Sequence, residues 1–245
     1  AAPDDPLRDL PQMLRKPLRE AYLGATTARL SSALQTAAPF PERLVHFWAN
    51  HFAVSADKLT VVPLVGNHEF AAIRPHVMGK FADLLAAAVL HPAMLLYLDQ
   101  AQSAGPNSQA AQFQRRGGAR RRGAGQGGPP GQQQQRTLGL NENLAREILE
   151  LHTLGVNGGY TQADVTELAR ALTGWTIAGL ARGPARRALG GDGSPGEFHF
   201  AGLIHQPGER VIMGRRYNQQ GEAQARAILA DLAAHPATAR HLATK

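Results

Sequence analysis

The sequence predicts a mainly α fold: a multi-helical globular domain with helical hairpins and one small β-hairpin. Three observations carry this. Apolar residues recur at helical spacing in one segment after another. Proline and glycine stand at the ends of those segments, where they start and stop helices. A single region, Glu197 to Met213, has the composition of strands. Of the 245 residues, 43 % are hydrophobic and 18 % charged, enough apolar material for a core.

Taken in order, Arg43 to Phe52 follows Pro39-Phe40-Pro41, and Leu44, Val45, Phe47, Trp48 and Phe52 fit one helical face. Phe70 to Ile73 reads as a further turn or two, ended at Arg74-Pro75 because a residue before proline avoids the helical region. A helix from His76 to Leu90 follows. His91-Pro92 opens the next, with proline at the first helical position, where its missing N–H is harmless. The same corner returns at His235-Pro236, and the segments Leu84–Ala93 and Ile228–Ala237 resemble each other. The match is short, so it reads as two uses of one good corner rather than an internal repeat.

Asn141 to Leu154 predicts a helix that stops at Gly155, a natural position for a left-handed residue. Thr161 and Asp164 form a capping box for the next helix, in which Val165, Leu168, Ala169 and Leu172 mark the buried face. Gly174 and Trp175 close it, giving an αα-hairpin. Glu197–Ile204 and Arg210–Met213, turned by Pro207-Gly208, predict the β-hairpin of residues 197–213. Glu222 to Ala234 is the last long helix. The chain stops three residues after Leu242, within a helical segment, and begins without Met. The expectation is one helical domain over residues 1–245, cut from a longer protein.

The formal charge is +7. It is concentrated in two stretches. Gln102 to Arg136 holds six arginines and no acid, and Ala178 to Gly196 sets three arginines against Asp192. Outside them the chain is close to neutral. The first stretch is rich in Arg, Gly and Gln, too poor in apolar side chains to offset its ordering entropy, and residues 102–136 are expected to be a disordered insertion. Nucleic-acid binding is therefore not the leading expectation, although the insertion offers a weak, salt-dependent site for it. Gly123 to Gly128 matches G-x-G-x-x-G, but no strand precedes it and Pro129-Pro130 blocks the helix that should receive phosphates.

Several chemistries are excluded. There is no cysteine, hence no disulfide, thiolate metal site or cysteine nucleophile. No apolar run reaches the length of a membrane span. The G-x-S-x-G, H-E-x-x-H and P-loop patterns are all missing.

The polar constellations that remain are few. On the helix from Asn141, the side chains of Asn143, Glu147 and Glu150 fall within about 60° of one another. Two carboxylates and an amide on one face suit a divalent cation or an acid/base pair. The same helix read plainly is a solvated face on which Glu142–Arg146 and Arg146–Glu150 are ion pairs one turn apart. His152 is expected on the apolar side, as a satisfied core histidine. Trp48, Asn50 and His51 form a second group, with His51 a candidate base. Arg74 is a candidate for anion binding or for pairing with an acid. Glu197 and His199, two apart on a strand, are a weaker metal pair, with His205 just beyond. The candidates are thus Glu147, Glu150 and His51 for catalysis, Trp48, Asn50, Arg74, Asn141, Asn143 and Arg146 for binding, and Glu147, Glu150, Glu197 and His199 for metal.

Eight motifs occur in series: Phe47–Phe52 (FWANHF), Ile73–Gly79 (IRPHVMG), His91–Leu98 (HPAMLLYL), Leu140–Glu147 (LNENLARE), Glu150–Val156 (ELHTLGV), Gly159–Thr161 (GYT), Leu172–Trp175 (LTGW) and His235–Arg240 (HPATAR). In this order they resemble the bacterial family called domain of unknown function 1800. The resemblance implies a large, mainly helical, exported protein, often encoded beside a second exported family of unknown function. It brings no activity and no catalytic residue. Three hypotheses follow. The chain is an exported binding or assembly protein with a co-exported partner, and then it carries an apolar surface patch. It is a metal-assisted hydrolase-type enzyme, and then Glu147, Glu150 and His51 converge in a pocket. Or it binds nucleic acid through the insertion.

Overall fold

A computed structural model describes residues 12–115, 139–180 and 193–245. Most of the expected basic insertion, and the Arg182, Arg186, Arg187 stretch, lie outside the described residues. In chain order the principal helices are α1 (Gln12–Gln35), α2 (Pro39–His51), α3 (Phe81–Leu90), α4 (Pro92–Tyr97), α5 (Asn143–Glu147), α6 (Gln162–Leu172), α7 (Glu222–Ala234) and α8 (Pro236–Ala243). The strands β1 (Trp175–Ile177), β2 (Phe198–Phe200), β3 (Arg210–Ile212) and β4 (Arg215–Tyr217) make two antiparallel pairs, β1 with β2 and β3 with β4. The fold is mainly α.

Two compact units divide the chain, each assembled from separate segments. Of the described residues, the first takes 12–98, 148–158 and 229–245; the second takes 99–115, 139–147, 159–180 and 193–228. In the first, Val45, Phe52, Ile73, Leu84, Leu85 and Met94 are buried. In the second, Leu144, Leu168, Leu172, Trp175 and Ile228 are buried. Val165, Leu168, Ala169 and Leu172 are each fully buried, as the helical spacing requires.

Local chemistry explains the boundaries. At both His-Pro corners the histidine is the N-cap. His91 Nδ1 accepts a hydrogen bond from Ala93 N–H, and His235 Nδ1 accepts one from Ala237 N–H. An imidazole thus does what a serine or aspartate does at other helix starts, while proline occupies the first turn. The Thr161–Asp164 capping box is complete in both directions. Gly155 has φ +85° and its N–H reaches back to Leu149 O.

Several expectations are corrected. The helix expected from His76 starts at Phe81, after a 3-10 turn, Arg74–His76, and a break that ends with Lys80 in an extended conformation. Arg74 precedes proline and yet is helical, φ −52° and ψ −44°; its guanidinium is held by Glu42 and Glu69, which outweighs the local preference. Two expected α-helical segments are π-helical turns instead, His68–Ile73 and Ile148–His152. The expected pairing of residues 197–204 with 210–213 does not form. β2 pairs with Trp175–Ile177, a segment read as the close of a helix, and β3 pairs with β4. The β3–β4 turn is Met213-Gly214, both with positive φ (48° and 75°). That is the backbone of a two-residue hairpin turn, made without the usual Asn-Gly or Asp-Gly signal.

Candidate functional site

In the first unit the end of α2 meets the π-turn Ile148–His152. His51 is buried, and its Nε2 lies 3.1 Å from His152 O, so Nε2 is the protonated nitrogen and donates. Its Nδ1 then accepts from the Lys245 ammonium at 3.1 Å. Both ring nitrogens are engaged and the tautomer is set. Trp48, half-buried, packs edge-on to His51 and stacks on Phe52, with Phe81 beside them. Burial holds His51 down at a pKa of about 4. His152, deeper still, is pushed down to about 3 by burial and then by the neighbouring His51. It is the core histidine expected, but not a satisfied one: Nδ1 has no hydrogen-bond partner among the described residues.

The other π-turn, His68–Ile73, supplies a second buried imidazole. His68 Nε2 donates to Ala88 O, and burial lowers its pKa to about 4. His91 stands 5.1 Å away, ring to ring, with Nε2 bonded to Asn67 Oδ1 and a pKa lowered to about 4, again chiefly by burial. On the next residue of the turn, Glu69 joins an ion network. Arg74 spans two buried carboxylates, Glu42 at 2.5 Å and Glu69 at 3.0 Å, and Arg29 reaches Glu69 at 3.0 Å. The hydrogen bond from Arg74 holds Glu42 below the usual carboxylate range. Arg74 is thus paired with two acids.

Asn50 parts from Trp48 and His51. It is exposed and lines a cavity of about 180 Å3 with Arg29, His68 and Glu69. A second, open cavity of about 400 Å3 lies between the loop Leu154–Gly158 and Arg240, His241 and Thr244.

In the second unit, Asn141 Oδ1 accepts from Asn143 N–H at the start of α5. Arg146 bonds Gln162 and lies 3.5 Å from Glu142. Glu142 also accepts from Thr166 Oγ1 and Gln162 Nε2, and the Thr166 bond leads in lowering its pKa. Glu147 closes α5 and is half-buried; Glu150, which belongs to the first unit, is half-buried in the π-turn Ile148–His152. The angular reading of Asn143, Glu147 and Glu150 assumed α-helical spacing throughout, and the π-turn breaks that spacing after Glu147. Glu197 is exposed just before β2, and His199 on β2 pairs in register with Thr176. Among the described residues, no group of three or more His, Asp or Glu side chains is placed to hold a metal ion.

The buried histidines His68 and His152 were not candidates. The only sequence signal for them is a histidine on an apolar helical face, which is also the signature of an ordinary core residue. Both ring nitrogens of His51 and of His91 are engaged, and the Glu42 and Glu69 carboxylates are paired with arginines.

The family described as Protein of unknown function (DUF1800) matches residues 3–245. No curated protein and no solved structure matches the chain.

Proposed function

From the premise that this chain belongs to the DUF1800 family, we propose that it is a helical binding or assembly protein. The family resemblance adds an exported, periplasmic or secreted setting and a co-exported protein partner. One observation carries the reading. Leu23, Leu30 and Leu34 of α1 are 53 %, 59 % and 84 % exposed. They lie within about 40° of one another on a helix of 24 residues. On α2, Phe40 and Phe47, also exposed, share a face two turns apart. Apolar stripes left in water cost solubility and mark contact surfaces. The chain co-expressed with the exported protein encoded beside it should co-purify with it. Leu30→Asp with Leu34→Asp should abolish the association and leave the melting temperature unchanged. Failure of the parent chain to associate would overturn the reading.

A second reading, a metal-assisted hydrolase-type enzyme, has one observation in its favour: Glu150 and His152 sit in a π-turn, a distortion frequent at functional sites. It requires stoichiometric divalent metal that both Glu147→Gln and Glu150→Gln remove. Elemental analysis finding no metal would leave the binding protein.

A further inference from the structure

The second unit contains a cavity of about 440 Å3, within the range of small-molecule sites, lined by His205, Pro207, Gly208, Glu209 and the run Asn218–Gly221. Its walls are two loops, and buried polar side chains hold both. Arg210, 6 % exposed, donates to the carbonyls of Gln206 and Pro207. Gln224, 1 % exposed, places its Nε2 3.1 Å from Gly208 O on one wall and 3.2 Å from Gln219 O on the other. Burying a guanidinium and an amide is costly. Here their hydrogen bonds go to the backbone that shapes the cavity, which is the construction of a preorganised site.

His205 is set in the same way. Its Nδ1 donates to Thr173 O at 2.8 Å, while Thr173 Oγ1 accepts from Gln206 N–H at 2.7 Å. The tautomer is therefore fixed, and Nε2 carries the lone pair. Nε2 makes no hydrogen bond to any described residue. Burial lowers the pKa of His205, so the ring is uncharged at neutral pH.

Among the described residues the lining carries no unpaired charge. Its single carboxylate, Glu209, is bonded to Arg216 at 2.8 Å. Among the described residues no lysine or arginine lines it, which disfavours an anion. What it offers is amide side chains, each both donor and acceptor, and an acceptor nitrogen. A hydroxyl group, donor and acceptor at once, is the matching chemistry. Pro207 and Gly221, the latter with φ +60° and packed on the Phe200 ring, add apolar surface for C–H faces. We infer that this cavity binds a neutral, hydroxyl-rich ligand, a sugar unit, with His205 Nε2 accepting from a ligand hydroxyl and the Asn218 and Gln220 amides completing the contacts.

The test is saturation-transfer NMR on the whole chain, with maltose and N,N′-diacetylchitobiose as neutral probes and glucose 6-phosphate as the anionic comparison. At least one neutral probe should show transfer. Asn218→Ala and Gln220→Ala, both at exposed positions, should weaken it threefold or more without moving the melting temperature. His205→Phe should weaken it tenfold or more. Absence of transfer from both neutral probes would overturn the inference. So would transfer that survives Asn218→Ala and Gln220→Ala together, or a preference for the phosphorylated sugar.

Discussion

Arg74 shows how much a single side chain can organise. It leaves the conformation that its proline neighbour favours in order to pair with Glu42 and Glu69, both buried. Removing it takes from Glu42 its arginine and leaves Glu69 with Arg29 alone, both in a poorly solvated site. Arg74→Met should therefore destabilise the protein by about 3 kcal/mol in urea unfolding. Arg74→Lys should recover only part of that, because an ammonium cannot bridge two carboxylates with a planar fork. Equal stability of Arg74→Met and the parent would show the network to be superficial. His51 is the opposite case to the one its position suggests. A histidine at a helix end beside tryptophan and asparagine resembles a base, yet both its nitrogens are spent on His152 O and Lys245.

Among the elements, helix starts are the most local and the most legible. The His-Pro corners and the Thr161 capping box follow from residues within one turn of the boundary. Thr161→Ala should cost about 1 kcal/mol. His235→Ala should cost a similar amount, and His235→Asn should recover most of it, since an amide oxygen can accept from Ala237 N–H as the imidazole does. Chemical denaturation of the three variants checks this; an His235→Asn as unstable as His235→Ala would mean the ring acts by packing. Strand pairing is less legible. Gly214 sits at φ +75°, so Gly214→Val should strain the β3–β4 turn and lower the melting temperature, whereas Gly24→Ala, in an open position, should raise it or leave it unchanged.

For the molecule as a whole, the buried histidines predict acid sensitivity. His51, His68 and His91 are held at a pKa of about 4 and His152 at about 3, against an ordinary value of 6.5. Between those values the unfolded chain binds protons that the folded chain refuses. Stability is therefore complete above about pH 6.5 and falls as the pH drops toward 4. The limiting slope is about 1.4 kcal/mol per pH unit for each proton taken up on unfolding. Melting temperatures from pH 8 to pH 4 should trace this fall, and His68→Phe should flatten it. A profile level from pH 7 to pH 4.5 would show that these rings are not buried as neutral groups.

The mainly α class, the corners, the capping box and the buried face of α6 were settled by the sequence alone, because each depends on contacts within a turn or two of helix. The expected β-hairpin failed for the complementary reason. β2 had to choose between β1 and β3, and that choice depends on which distant segments the packed helices bring alongside. The π-turns, the neutral His68 and His152 and the ion network of Arg74 were likewise decided by tertiary structure. Burial sets the charge state of an imidazole and the partners of a guanidinium, and burial is a property of the whole fold. The cavity beside His205 belongs to the same class. Its shape depends on Gln224 and Arg210 reaching loops from positions that, along the chain, look like ordinary surface residues.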